Sequence, residues 1–221
     1  MKKIISIMML MIISLSVYAN DIYINQSGAT LDLDVLQDGQ NNTIGSSSTA
    51  SSVIGATTNL SITQIGDSNV MTFDVNGATY TGTFSVTGNS NNIDFNCDSQ
   101  GTNSSCGTAT ASIVWVGSSN DIDIDIGETS SATGATVSIT GASGSDSNVV
   151  LGTIDGNSAI LTLSINGDTN NFLVDIDGDG DSVGHTYVHT HTGSIADVDI
   201  TQSGIYDNMI TLTTSGDNHD I

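Results

Sequence analysis

Four aspartates at alternate positions, Asp175, Asp177, Asp179 and Asp181, surround Gly178 and Gly180 in the segment DIDGDGDS. Carboxylate oxygens are the hard ligands that calcium prefers, and this acidic spacing, with a glycine at the sixth place, matches the opening of an EF-hand loop. The twelfth place holds Thr186, where that loop needs a bidentate glutamate. The expected site is therefore a Ca2+ site of another kind, with a plain acidic turn as the alternative. His185, His189 and His191 stand at even separations in HTYVHTH. In extended chain their imidazoles face one side and suit Zn2+ or Cu2+, although no cysteine or acid lies at zinc-finger spacing from them. An exposed insertion is the other reading. Cys97 and Cys106 are expected to form one disulfide if the chain is exported, with a buried free thiol at Cys97 as the alternative.

None of these residues forms a catalytic set. Ser, His and Asp are so numerous that a triad can be assembled anywhere by chance, and Glu128 is the only glutamate. A non-enzyme with no required cofactor is expected. Residues 1–19, with Lys2 and Lys3, an apolar run, and small residues at Val17 and Ala19, have the order of a secretory signal peptide cleaved after Ala19. Residues 20–221 then form a single repeat domain, secreted or held at the cell surface, with no membrane insertion after cleavage. The whole chain carries a formal charge of −22, and Lys2 and Lys3 are its only basic side chains. Nucleic acid and anionic lipid are poor partners for such a surface, whereas divalent cations and cationic surfaces suit it.

The elements that would position these residues are legible in a recurring phrase, Gly-x-x-Asn. It occurs at Gly39/Asn42, Gly66/Asn69, Gly88/Asn91, Gly117/Asn120 and Gly167/Asn170, and in looser form at Gly144/Asn148 and Gly204/Asn208. Apolar residues follow each asparagine at alternate positions, as in Met71, Phe73 and Val75, or Ile122, Ile124 and Ile126. A second alternating set precedes each glycine: Val35 and Gln37, Ile62 and Gln64, Phe84 and Val86, Ile113 and Trp115, Leu163 and Ile165, Ile200 and Gln202. Ile24 and Gln26 precede Gly28, which serves as the anchor of an opening half-repeat. Side chains alternate faces along a strand, so each unit predicts strand, corner, strand and turn, with one buried face per arm. One such unit cannot bury that face, whereas stacked units share a core. The expected fold is all-β: a β-solenoid of stacked β-arches with about seven rungs, with a β-sandwich as the alternative.

Asp74, Asp94, Asp121, Asp123, Asp125, Asp175 and Asp177 share the outward parity and predict an acidic outer face. Thr79, Thr81 and Thr83 suggest a flat threonine row of the kind that binds ice, but in the sequence the pattern does not recur from rung to rung.

Three units also carry a glutamine two residues before the glycine: QDGQNN at Gln37–Asn42, QIGDSN at Gln64–Asn69, and QSGIYDN at Gln202–Asn208 with one extra residue. This resembles the curlin repeat of curli fibre subunits, Gln-x-Gly-x-x-Asn followed by apolar alternation. The resemblance implies inward Gln and Asn side chains in amide ladders between rungs, and a secreted subunit of a functional amyloid that serves adhesion and biofilm. The second glutamine of curlin repeats, on the return strand, is not seen here, and the connections are longer and uneven. The expected function is a structural fibre subunit or adhesin that self-associates through its end rungs or with partner subunits. The alternative is a monomeric, acidic, calcium-binding or receptor-binding solenoid.

Overall fold

The computed structural model describes residues 20–39, 41–45, 50–66, 68–88, 90–97, 106–117, 120–127, 134–142, 144, 149–155, 158–177, 184–204 and 208–221. The expected signal peptide, residues 1–19, lies outside them. The described residues form strands β1 (Asn20–Ile22), β2 (Asn25–Asp38), β3 (Asn42–Ile44), β4 (Ser51–Ile65), β5 (Val70–Thr87), β6 (Asn92–Cys97), β7 (Cys106–Val116) and β8 (Asp121–Ile126). They continue as β9 (Gly134–Gly141), β10 (Val149–Asp155), β11 (Ala159–Asn166), β12 (Asn170–Asp177), β13 (Thr186–Thr192), β14 (Ala196–Gln202) and β15 (Met209–Ser215).

Every strand pair runs parallel and joins one coil to the next, which makes the molecule a β-solenoid. The arm that leads into each Gly-x-x-Asn corner stacks β2, β4, the second half of β5, β7, β9, β11, β13 and β15. The arm that follows the corner stacks β1, β3, the first half of β5, β6, β8, β10, β12 and β14. The β-sandwich alternative fails on this register, because a sandwich is built from antiparallel pairs within each sheet.

The alternation in the sequence becomes burial. Ile93, Phe95 and Cys97, then Ile122, Ile124 and Ile126, then Phe172, Val174 and Ile176 are all buried on the following arm. They face Ile62, Phe84, Ile113 and Leu163 of the leading arm in one continuous core. Rings cross between the arms: Tyr80 stacks on Phe95 at 4.9 Å, and Phe84 lies 5.7 Å from Phe95 and 6.2 Å from Phe73. Two inward glycines make room for the largest of these side chains. A Cβ on Gly82 would stand 1.8 Å from the Tyr80 hydroxyl, and one on Gly141 would stand 2.7 Å from the Trp115 ring. Glycine weakens a strand, so each marks a position where volume outweighs strand propensity. Parallel sheets are usually covered on both faces. Here each arm has one wet face, and the strands alternate as half-buried strands do.

Candidate functional site

The corner between the arms is the most repeated structure in the molecule. Gly39, Gly66, Gly88 and Gly117 stack so closely that a Cβ on Gly66 or Gly88 would lie 1.7 Å from the carbonyl oxygen of the glycine below, and one on Gly117 1.5 Å. Gly117 also holds a φ of 149°, on the side of backbone space that favours glycine. Inside this corner the amides bond from coil to coil. Gln64 Nε2 donates to Gln37 Oε1 at 2.8 Å, Asn69 Nδ2 to Asn42 Oδ1 at 2.7 Å, and Asn91 Nδ2 to Asn120 Oδ1 at 2.6 Å. Asn120 and Asn170 also donate to the carbonyls of Gly117 and Gly167, three residues back. All of these amides are buried, which makes the hydrogen bonds obligatory. They fix the register, since a slip of one residue would leave every amide unpaired.

The register corrects the phase of the repeat at both ends. Gly28 aligns with Gly55, and Gln26 with Val53, so this glycine lies at the opposite, return turn. The corner asparagine of that coil is Asn20, which pairs with Asn42. Likewise Gln202 pairs with Ile176 in the following arm, and neither of its amide atoms has a hydrogen-bond partner among the described residues. Gly204 therefore belongs to the return turn. Asn208 leads into β15 and accepts from the His185 backbone N–H at 2.9 Å. The third curlin-like hexapeptide is thus out of phase with the other two. The corner instead continues through Gly193 and Gly216, whose added Cβ atoms would meet the carbonyls of Gly167 and Gly193 at 1.9 and 1.8 Å. The sequence hid them because Ala196 and His219 stand where the asparagine is expected. Gly144, with no atom within 4 Å of an added Cβ, is not in the column, and its partner Asn148 lies outside the described residues.

The histidines are not an exposed insertion. His189 and His191 lie on the inner face of β13, where His189 stacks on Leu163 and His191 on Ile165; His185 immediately precedes the strand, and all three are buried. Nor do they converge on a metal. His185 Nδ1 accepts from the Ala159 N–H at 3.1 Å, His189 Nδ1 lies 3.0 Å from the Tyr187 hydroxyl, and His191 Nε2 lies 2.9 Å from both Gly167 O and Asn170 Nδ2. Among the described residues no three His, Cys, Asp or Glu side chains are grouped to hold a metal ion. Burial, and then the neighbouring His191, push the His189 imidazole down to about 4. His191 is also lowered, chiefly by burial. Imidazoles thus take over at the C-terminal coils the place that amides hold at the N-terminal ones, and His219 packs edge-on to His191 at 5.3 Å.

Asp179 and Asp181 of the expected calcium site lie outside the described residues. Asp175 and Asp177 point outward from β12, and Asp177 neighbours Asp155 and accepts from the Ser203 hydroxyl. The acidic face is less uniform than its parity suggests. Asp74 neighbours Asn96, Asp121 neighbours Asn92 and Val149, and Asp125 neighbours Asn96 and Thr153. Asp94 and Asp123 are directly opposed. Partial burial, then the Asp125, Asp94 and Asp121 carboxylates, raise Asp123 to about 6, and Asp94 is raised by burial and then by Asp74, Asp125 and Asp121. Cys97 and Cys106 form the expected disulfide, with Cα atoms 5.6 Å apart, and it ties the following arm to the leading arm at the return turn.

The chain matches no protein-family model, no curated protein and no solved structure.

Proposed function

We propose that this chain is an exported, non-enzymatic structural subunit that stacks end to end into an extracellular fibre or surface adhesin, as its curlin-like hexapeptides suggest. The observation that carries this reading is that, among the described residues, core is left uncovered at both ends of the solenoid. At one end Leu31, Leu33 and Val35 of β2 are only partly buried, and among the described residues β2 pairs with β4 alone. At the other, Ile210 of β15 is 50% exposed although its register continues the inward column of Leu161 and Tyr187. An apolar interior left open beside an unpaired strand edge is a template for another strand.

The amide corner adds to this reading in the coils that carry it, where buried Gln and Asn side chains bond from one coil to the next as stacked amides do in cross-β assemblies. Charge sets the conditions. The exported chain loses Lys2 and Lys3 and keeps 24 acidic side chains against no Lys or Arg, so it repels its copies until acid, salt or divalent cations such as Ca2+ reduce the repulsion. Thioflavin fluorescence and electron microscopy on the chain lacking residues 1–19 are expected to show fibres under those three conditions. A chain that stays monomeric at high concentration in all of them refutes the fibre.

A further inference from the structure

Beyond β2, whose outward Asp32, Asp34 and Asp38 border it, the outer face of the leading arm is free of acidic residues. On the leading arm, from Thr57 in β4 to Ser215 in β15, no outward position among the described residues carries a charge or an aromatic ring. Hydroxyls occupy most of that surface, and the register sets them in rows across the coils. Thr81, Thr110 and Thr136 form one row. Thr83, Ser112, Ser138 and Thr162 form the row beside it. Where the hydroxyl is missing the position holds asparagine, glycine at Gly134, or an uncharged apolar side chain: Val114 and Val116, which have the shape of threonine, and the bulkier Ile65, Ile160 and Met209 at the margins. The sequence conceals these rows because the connections between strands differ in length, so stacked residues lie at unequal separations.

The chemistry of this face is narrow. Neighbouring rungs are about 4.8 Å apart and alternate residues along a strand about 6.6 Å, so the face is a two-dimensional net of hydroxyl and methyl groups. It has no charge for an ionic ligand and no ring on which a sugar would stack. Each hydroxyl both donates and accepts, and the methyl of each threonine adds apolar surface that makes no competing hydrogen bond. A net that repeats in two directions recognises a partner that also repeats in two directions and consists of hydrogen-bond donors and acceptors alone. We propose that the outer face of the leading arm binds ice. The inference stands apart from the fibre reading, which uses the ends of the solenoid and not its sides.

Monomer isolated by gel filtration is to be tested for uptake into slowly growing ice on a cold finger, beside Thr110→Lys on this face and Asp199→Asn on the acidic face. Melting temperature and sedimentation would be recorded for each. The wild-type chain and D199N are expected to enter ice, with T110K at least tenfold less, while all three melt alike. Uptake no greater than that of serum albumin overturns the proposal, as does T110K entering ice like the wild type. A wild-type dimer that T110K dissolves, with neither chain entering ice, would assign the face to a second copy and likewise overturn it. If T110K melts early, Thr136→Lys replaces it under the same criteria.

Discussion

His189 is a residue whose role depends on staying uncharged. Its column neighbours are Leu163 and Leu212, its ring meets Phe172 edge-on at 4.4 Å, and burial with His191 alongside takes its pKa to about 4. An unfolded imidazole titrates near 6.5, so between 6.5 and about 4 the unfolded chain binds a proton that the folded chain does not. Stability contributed by the neutral ring is present above pH 6.5 and is lost as pH falls toward 4. His189→Leu fits the same column, and its melting temperature is expected to fall less between pH 7 and 4.5 than that of the wild type. Parallel curves would refute this role. Gly117 is constrained by space instead of charge. Gly117→Ala must open the 1.5 Å approach to Gly88 and adopt a φ of 149°. The backbone conformation alone costs about 1–3 kcal/mol. Urea denaturation is expected to show at least that loss, and a change below about 0.5 kcal/mol would mean that the stacked corner does not hold the coil.

At the scale of strands, β6 and β8 oppose Asp94 and Asp123 directly, and both carboxyls are raised, Asp123 to about 6. The sign is opposite to that of His189. The folded chain takes up a proton near pH 6, which the unfolded chain takes up only near 4, so this pair favours folding increasingly as pH falls through that window. Asp123→Asn is expected to melt higher than the wild type at pH 7, with the difference shrinking toward pH 4. Hydrogen exchange of Ile122 and Ile124 would localise the effect, and unchanged exchange at pH 7 would count against it. Strand-level features divide into those the sequence shows and those it hides. Alternation around Gly66/Asn69 or Gly117/Asn120 is local, so the buried sets of β5 and β8 and the corner between arms were legible. Phase was not legible where the marker changed: Gly193 and Gly216 keep the corner with Ala196 and His219 in place of asparagine, while Gly28 and Gly204 copy its appearance at the return turn. Nor was the burial of His185, His189 and His191, because an imidazole in an alternating strand has the same pattern whether it faces water or the core. The hydroxyl rows depend on which coils are neighbours, and uneven connections remove that information from the linear chain.

For the whole molecule the question is direction. Continuing the register past β15 sets Leu33 of another copy on Ile210, Val35 on Leu212 and Gln37 on Thr214, with Asp34 and Asp38 beside Thr211 and Ser215. Joining two like ends would instead set the β2 edge with Asp32, Asp34 and Asp38 against the same acidic edge of a second copy, in a chain that has no basic side chain beyond Lys3 to offset them. Head-to-tail stacking is heterologous and open, and so gives fibres, whereas like-to-like contact closes at a dimer or alternates. Leu33→Asp blocks one end and Leu212→Asp the other, and both sites are at the periphery of the core, so each variant is expected to fold. In acid-free buffer with high salt, each variant alone is expected to sediment as a monomer. An equal mixture is expected to form a heterodimer and nothing longer, because the open tail of the first fits the open head of the second. Traces of either variant would also shorten wild-type fibres. If each variant alone dimerised through its remaining end, the contact would be like-to-like, and the columns of glycine and core residues would not run on from one subunit to the next.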